Sequence, residues 1–223
     1  MWVPILLAAA LICWLPFYIW TDYRWDHKRY LWTKLIASLL FLSVAVSAFL
    51  ILHTNADYAI WVIVALCLGL IGDVLLVFAD NLKFFILGLV SFLLGQVCYA
   101  IVFARFVGFS WIDAVVYAVV IGATLIAYSR AKLDLGKMKI PVLVYVLVIA
   151  FMFVMAVSTI YKSGFSSAAV GLIVAGAALF AMSDIVLAFV RFGRSPHRSL
   201  RAVNLSTYYF AQILLALSVT AVV

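Results

Sequence analysis

Long unbroken apolar runs, separated by short polar connections, set the pattern of this chain. Eight runs can be marked, at about 3–20, 33–52, 59–79, 84–104, 111–129, 141–160, 168–190 and 204–222. Each approaches ~20 residues, the length that crosses ~30 Å of hydrocarbon at ~1.5 Å per residue. Continuous runs predict helices, because a membrane barrel would show shorter alternating segments. The expected fold is all-α and integral to a membrane: an eight-span helical bundle forming one polytopic domain over 1–223. The first run has no basic leader, and "YIWTDYRW" after it offers no small-residue cleavage site, so it is read as a retained span.

The two halves of the pattern echo each other. "GDVLLVF" at 72–78 and "SDIVLAF" at 183–189 share a small residue, an aspartate, two aliphatics, leucine and phenylalanine in register. The following runs match as well: "FLLGQVCYA" (92–100) against "YYFAQILLA" (208–216) sets Gln96 beside Gln212. Two four-helix repeats, about 1–106 and 111–223, are expected in parallel orientation, because four spans is an even number. Asp73 and Asp184 are then expected at similar depth, about two turns from the ends of their helices.

Composition sharpens this picture. Hydrophobic residues make up 70% of the chain and charged residues 10%, where soluble domains carry about 25% charged. The net charge of +7 is not a nucleic-acid footprint. Thirteen of the 15 Lys and Arg fall in or beside the first, third, fifth and seventh connections. By the positive-inside bias these connections face the cytoplasm and both termini lie outside, in a bacterial inner membrane or an endoplasmic reticulum. The basic loops are also expected to meet anionic membrane lipids. Trp20, Tyr23, Trp25, Tyr30 and Trp32 read as an interfacial aromatic belt. Cys13, Cys67 and Cys98 all fall within spans and read as small buried hydrophobes. His27, His53 and His197 are scattered, so neither a metal site nor another cofactor is expected.

The chain contains no glutamate, and its eight acidic residues are all aspartates. Asp22, Asp26, Asp57, Asp80, Asp113 and Asp134 lie in connections or at span ends. Asp73 and Asp184 alone are deep, where an ionised Asp costs ~2.5–3.5 kcal/mol and usually faces the bundle interior with a task. Two carboxylates in one apolar cavity would titrate apart, giving a proton donor beside an ionised partner. The sequence does not show that they meet. Lys34 either snorkels to the headgroups or pairs with an aspartate. Gln96, Gln212, Asn204 and Tyr208, with Tyr99 and Tyr145 as weaker candidates, are placed to hold a substrate or to bond between helices. Gly69 and Gly72 leave room for close packing or for a ligand chain, and Gly88 with Gly95 marks a packing face. Ser183 has no histidine near it, and no nucleophile elbow, zinc motif or phosphate loop is present.

The order "GDVLLVF", "FFILGLVSFLLGQVCYAIVFAR", "PVLVYVLVIAFM", "GAALFAMSDIVLAFVRF" and "YYFAQILLALS" resembles the YhhN-like membrane family, which includes the lysoplasmalogenases. The resemblance runs from about Lys34 to the C-terminus, with "SDIVLAF…YYFAQ" its most specific part. It implies an eight-span hydrolase that cleaves the vinyl ether bond of a lysophospholipid substrate and needs no cofactor. Asp73 and Asp184 would then be the acid and base. The family often has His where this chain has Gln96, which removes a titratable group from that position.

A proton- or cation-coupled transporter using the same aspartates is the alternative, since parallel repeats with paired carboxylates occur there too. Against it, no span is clearly broken by Gly or Pro: Pro141 opens the sixth, and Pro4 and Pro16 lie near the ends of the first.

Overall fold

A computed structural model describes residues 2–24, 27–52, 54–131, 133–162, 164–193 and 197–222. Trp25, Asp26 and His53 lie outside the described residues, as does the side chain of His27. The described chain forms eight α-helices and a short 3-10 turn, with no strand. They are α1 (Trp2–Arg24), α2 (His27–Leu52), α3 (Ala56–Val77), α4 (Leu82–Val107), α5 (Trp111–Arg130), α6 (Lys139–Lys162), α7 (Ser167–Phe192) and α8 (Arg198–Ser218). Seven of these are long and apolar enough to cross a membrane; α8, whose first turns carry Arg198, Arg201 and Asn204, is the other. The all-α membrane architecture read from the sequence is the one observed.

Local chemistry explains the helix ends. Asn55, Asn81 and Ser166 each accept a backbone N–H from the first turn of α3, α4 and α7, filling donors that a helix start leaves bare. Asn55 and Ser166 each stand 18 residues ahead of Asp73 and Asp184 respectively. Gly108, at φ 66°, ends α4 in a left-handed conformation that only glycine adopts freely, returning its N–H to Ala104 O at 2.8 Å. Several boundaries differ from the apolar runs. His197 caps α8 from before Arg198, about six residues earlier than hydropathy marks it, because the polar first turns are hidden from an apolar count. Helix α1 continues past Pro16 to Arg24, so that proline is interior.

Helices α1 and α2 pack together, as do α3 with α4 and α7 with α8; α4 meets α6 and α2 meets α8 across the halves. Close approach of α3 and α4 rests on glycines: a Cβ on Gly95 would stand 3.2 Å from Ala65 O, and one on Gly88 2.9 Å from Leu76. These two do mark a packing face. Helix α5 reaches the bundle through α6 alone. Its outer face is apolar and open, with Val119 65% and Ile126 56% exposed, as a lipid-facing surface requires.

Trp20, Tyr23 and Trp32 are exposed, in keeping with an aromatic belt. Tyr30 is not part of it: its ring stacks inward on Tyr18 at 5.7 Å. The cysteines also depart from expectation. Cys98 is buried, Cys67 half-buried and Cys13 exposed on α1, because a helix in lipid can turn a small apolar side chain outward at no cost.

Candidate active site

Asp73 projects from the last turn of α3 into the core and is 2% exposed. Helix α3 ends at Val77, one turn beyond it, whereas α7 runs two turns past Asp184 to Phe192. The equal two-turn depth expected from the repeat therefore holds for Asp184 and not for Asp73. The Phe78–Asn81 turn, closed by Asn81 N–H to Phe78 O at 3.1 Å, cuts α3 short.

Among the described residues, every side-chain hydrogen bond to the Asp73 carboxylate comes from α2 or α8. Its Oδ2 accepts from Ser38 Oγ at 2.7 Å, Tyr208 OH at 2.9 Å and Tyr209 OH at 3.3 Å. Its Oδ1 pairs with Lys34 Nζ at 3.3 Å, with the lysine side chain 5% exposed. Lys34 thus pairs rather than snorkels. Lys34 and Ser38 lie one turn apart on α2, so one helical face delivers both donors. An ionised carboxylate offers about four acceptor positions, and all four contacts here donate. The arrangement suits a charged Asp73 held by a cation.

A second layer extends the network. Gln212 donates through Nε2 to Tyr208 OH at 3.1 Å and accepts from Tyr99 OH at 3.2 Å. The donors therefore run in one direction, Tyr99 to Gln212 to Tyr208 to Asp73. Gly69 makes this possible: a Cβ there would stand 2.7 Å from Gln212 Nε2. At Gly72 a Cβ would meet the Phe92 ring at 2.7 Å. The room beside both glycines is filled by side chains, so close packing is their role.

Asp184 has a different setting. It is half-buried, and its Oδ2 accepts from Tyr145 OH on α6 at 2.9 Å. Lys34 precedes Asp73 by the same 39 residues that separate Tyr145 from Asp184. The partners of the two aspartates are disjoint among the described residues. Helices α3 and α7 make no close backbone contact. Phe92 reaches Gly72 on α3, Tyr208 lies 5.6 Å from Phe92, and Phe180 of α7 lies 5.6 Å from Tyr208. A chain of three rings thus links the two helices.

The remaining candidates divide. Asn204 donates to Ser183 O at 2.8 Å and Ser183 Oγ at 2.9 Å, joining α7 to α8 beside Asp184. Gln96 is 1% exposed, and neither its amide nitrogen nor its oxygen has a hydrogen-bond partner among the described residues. Its neighbour Gly95 abuts Ala65, two turns from Asp73 along α3. Sequence reasoning missed Ser38, Tyr209, Tyr18 and Tyr30. Ser38 was detectable one turn after Lys34, and Tyr209 sits beside Tyr208; the others needed the fold.

Burial at helix ends was also missed. Asp113 is fully buried at the start of α5, where Ser158 and Tyr161 each donate at 2.6 Å and Lys162 forms an ion pair. Asp22, 5% exposed, is held by Arg201 through Nε at 3.1 Å and Nη2 at 2.6 Å.

The chain matches the YhhN family over residues 29–219. No curated protein matches it, and no solved structure does.

Proposed function

The chain belongs to the YhhN family, and on that premise we propose that it hydrolyses the vinyl ether bond of lysoplasmalogens, releasing a fatty aldehyde and a glycerophospho-ethanolamine or -choline. The observation that carries the reading is Asp73, a carboxylate inside an apolar bundle served by Lys34, Ser38, Tyr208 and Tyr209. Packing alone does not call for so many polar groups at that depth.

Vinyl ether hydrolysis begins with a proton delivered to the outer alkene carbon, which leaves an oxocarbenium ion. Water adds to the cationic carbon and gives up a proton. The hemiacetal then breaks its C–O bond: the glycerol oxygen takes a proton and the aldehyde departs. The reaction asks for an acid, a negative charge near the cation and a base for water, as glycosidases do. Disjoint partner sets favour two carboxylates with separate roles over a pair sharing one proton. Asp184, with a single tyrosine donor on Oδ2, is assigned the acid. Asp73, surrounded by donors, is assigned the anion and base, with capacity left on Oδ1 for a water. Gln96, whose buried amide lacks a protein partner, is available to substrate or water.

The test is aldehyde release from a 1-alkenyl lysophospholipid by purified protein in detergent, where no gradient exists. Turnover supports the hydrolase. Folded protein without turnover, yet with proton-coupled flux in vesicles, would assign the same aspartates to transport.

A further inference from the structure

The end of the bundle bearing the α1–α2, α3–α4 and α7–α8 connections holds a crevice of about 90 Å³. Arg191 and Arg201 line it together with Asp80 and Tyr30, and Leu76, Val77 and Ala79 complete its wall. Both signs of charge and an aromatic ring therefore face one small space.

The crevice adjoins the Asp73 cluster. Val77 lies one turn beyond Asp73 on α3, or ~6 Å along the helix. Tyr30 belongs to both places: it lines the crevice, and its ring centre is 5.8 Å from Lys34 Nζ. Arg191 follows Asp184 by two turns on α7, and Arg201 precedes Tyr208 by two turns on α8.

The two guanidiniums are held in place by the fold. Arg191 donates to Ala79 O at 3.0 Å and lies over the Phe85 ring at 4.4 Å, and a guanidinium has five donors to offer. Arg201 is fixed by Asp22. Planar, permanently charged groups held in this way suit a phosphate. Asp80 is exposed at the rim and would repel a bare anion, but it complements an ammonium attached to one. Tyr30 adds a ring face that attracts the same cation.

We propose that this crevice is the subsite for a zwitterionic phospho-amine lipid headgroup, with the phosphate on Arg191 and Arg201 and the ammonium on Asp80 and Tyr30. The inference rests on the hydrolase reading and places the part of the substrate that reading leaves unassigned. The glycerol unit between phosphate and enol ether spans the single turn from Val77 to Asp73.

The test compares three substrates with the purified full chain: 1-alkenyl lysophosphoethanolamine, the same lipid without the amine, and 1-alkenyl glycerol without phosphate. Arg191→Gln is expected to raise KM roughly tenfold on both phosphate-bearing lipids, the loss of one charge-assisted contact, and far less on alkenyl glycerol. Asp80→Asn is expected to raise KM on the ethanolamine lipid alone. Equal effects on all three substrates, or none on the phosphate lipids, would overturn the assignment. Binding of the uncleavable 1-alkyl lysophosphoethanolamine, read by thermal stabilisation, separates this inference from the reaction itself. Binding weakened by both variants, without turnover of any alkenyl lipid, would retain the subsite and remove the hydrolase. Free phosphoethanolamine should compete only far above lipid concentrations; equal potency would assign the crevice to a soluble phosphate and overturn the lipid reading.

Discussion

At Asp73 and Lys34 the bundle buries two opposite charges in contact, and each depends on the other. Removing one partner of a buried pair costs about 3–5 kcal/mol, because the remaining charge is left uncompensated. Lys34→Met should therefore lower the melting temperature in detergent markedly, and adding Asp73→Asn should restore part of it by removing the stranded anion. Additive losses in the double variant would mean that the pair is not coupled. Gly69 and Gly72 allow a second comparison. A methyl on Gly69 meets the far end of the Gln212 amide, which can swing aside. Gly69→Ala should cost little stability, since alanine is ~1 kcal/mol better in a helix, while it breaks the Gln212–Tyr208 bond and lowers turnover. A methyl on Gly72 meets three atoms of the Phe92 ring, so Gly72→Ala should destabilise by ~1–3 kcal/mol through overpacking. Melting curves of the two variants check the order, and equal losses would contradict it.

Among the helices, α5 is the outlier. It packs on α6 alone and is fastened at one end, where Asp113 gathers Ser110, Ser158, Tyr161 and Lys162. Asp113→Ala should free that end, raising amide exchange in α5 several-fold while leaving the Asp73 helices protected. Hydrogen-exchange mass spectrometry reads this, and unchanged α5 exchange would mean that apolar packing holds it. The same helix shows why only part of the site is legible along the chain. Apolar runs reveal spans, because lipid demands them, and depth flagged Asp73, Asp184 and Lys34. Depth along the chain is not burial in the bundle, however. Asp113, at a span end, is fully buried, while the deeper Asp184 is half-buried. Facing direction follows from which helices meet, and an all-round apolar helix does not encode that. Tyr209 and Ser38 escaped notice for the same reason. Tyr208, Gln212 and Tyr99 were picked out as polar groups in apolar runs, but their order in one relay appears only when α4 and α8 converge on α3.

For the whole molecule, the two halves bring α2 onto α8 and α4 onto α6, and of the two matched aspartates only Asp73 is paired with a cation among the described residues. Asp73 has a lysine where Asp184 has Tyr145. Such a difference between matched positions is expected when one half acts as a base and the other as an acid. Among the described residues the basic connections gather at the end bearing the crevice, and the positive-inside bias predicts that this end is cytoplasmic. Cysteines placed at Asp80 and at Ser110, in a chain with Cys13, Cys67 and Cys98 replaced, should label from opposite sides of sealed vesicles, with the Asp80 site cytoplasmic. Labelling from the same side would reject this arrangement. Aldehyde release from a 1-alkenyl lysophospholipid by wild type, Asp73→Asn and Asp184→Asn, each shown to be folded, tests the paired roles of the two aspartates. Wild type should turn over, and each variant should lose about 10²–10⁴-fold in kcat, the usual effect of removing an acid or base. Full activity in a folded Asp73→Asn protein would contradict it.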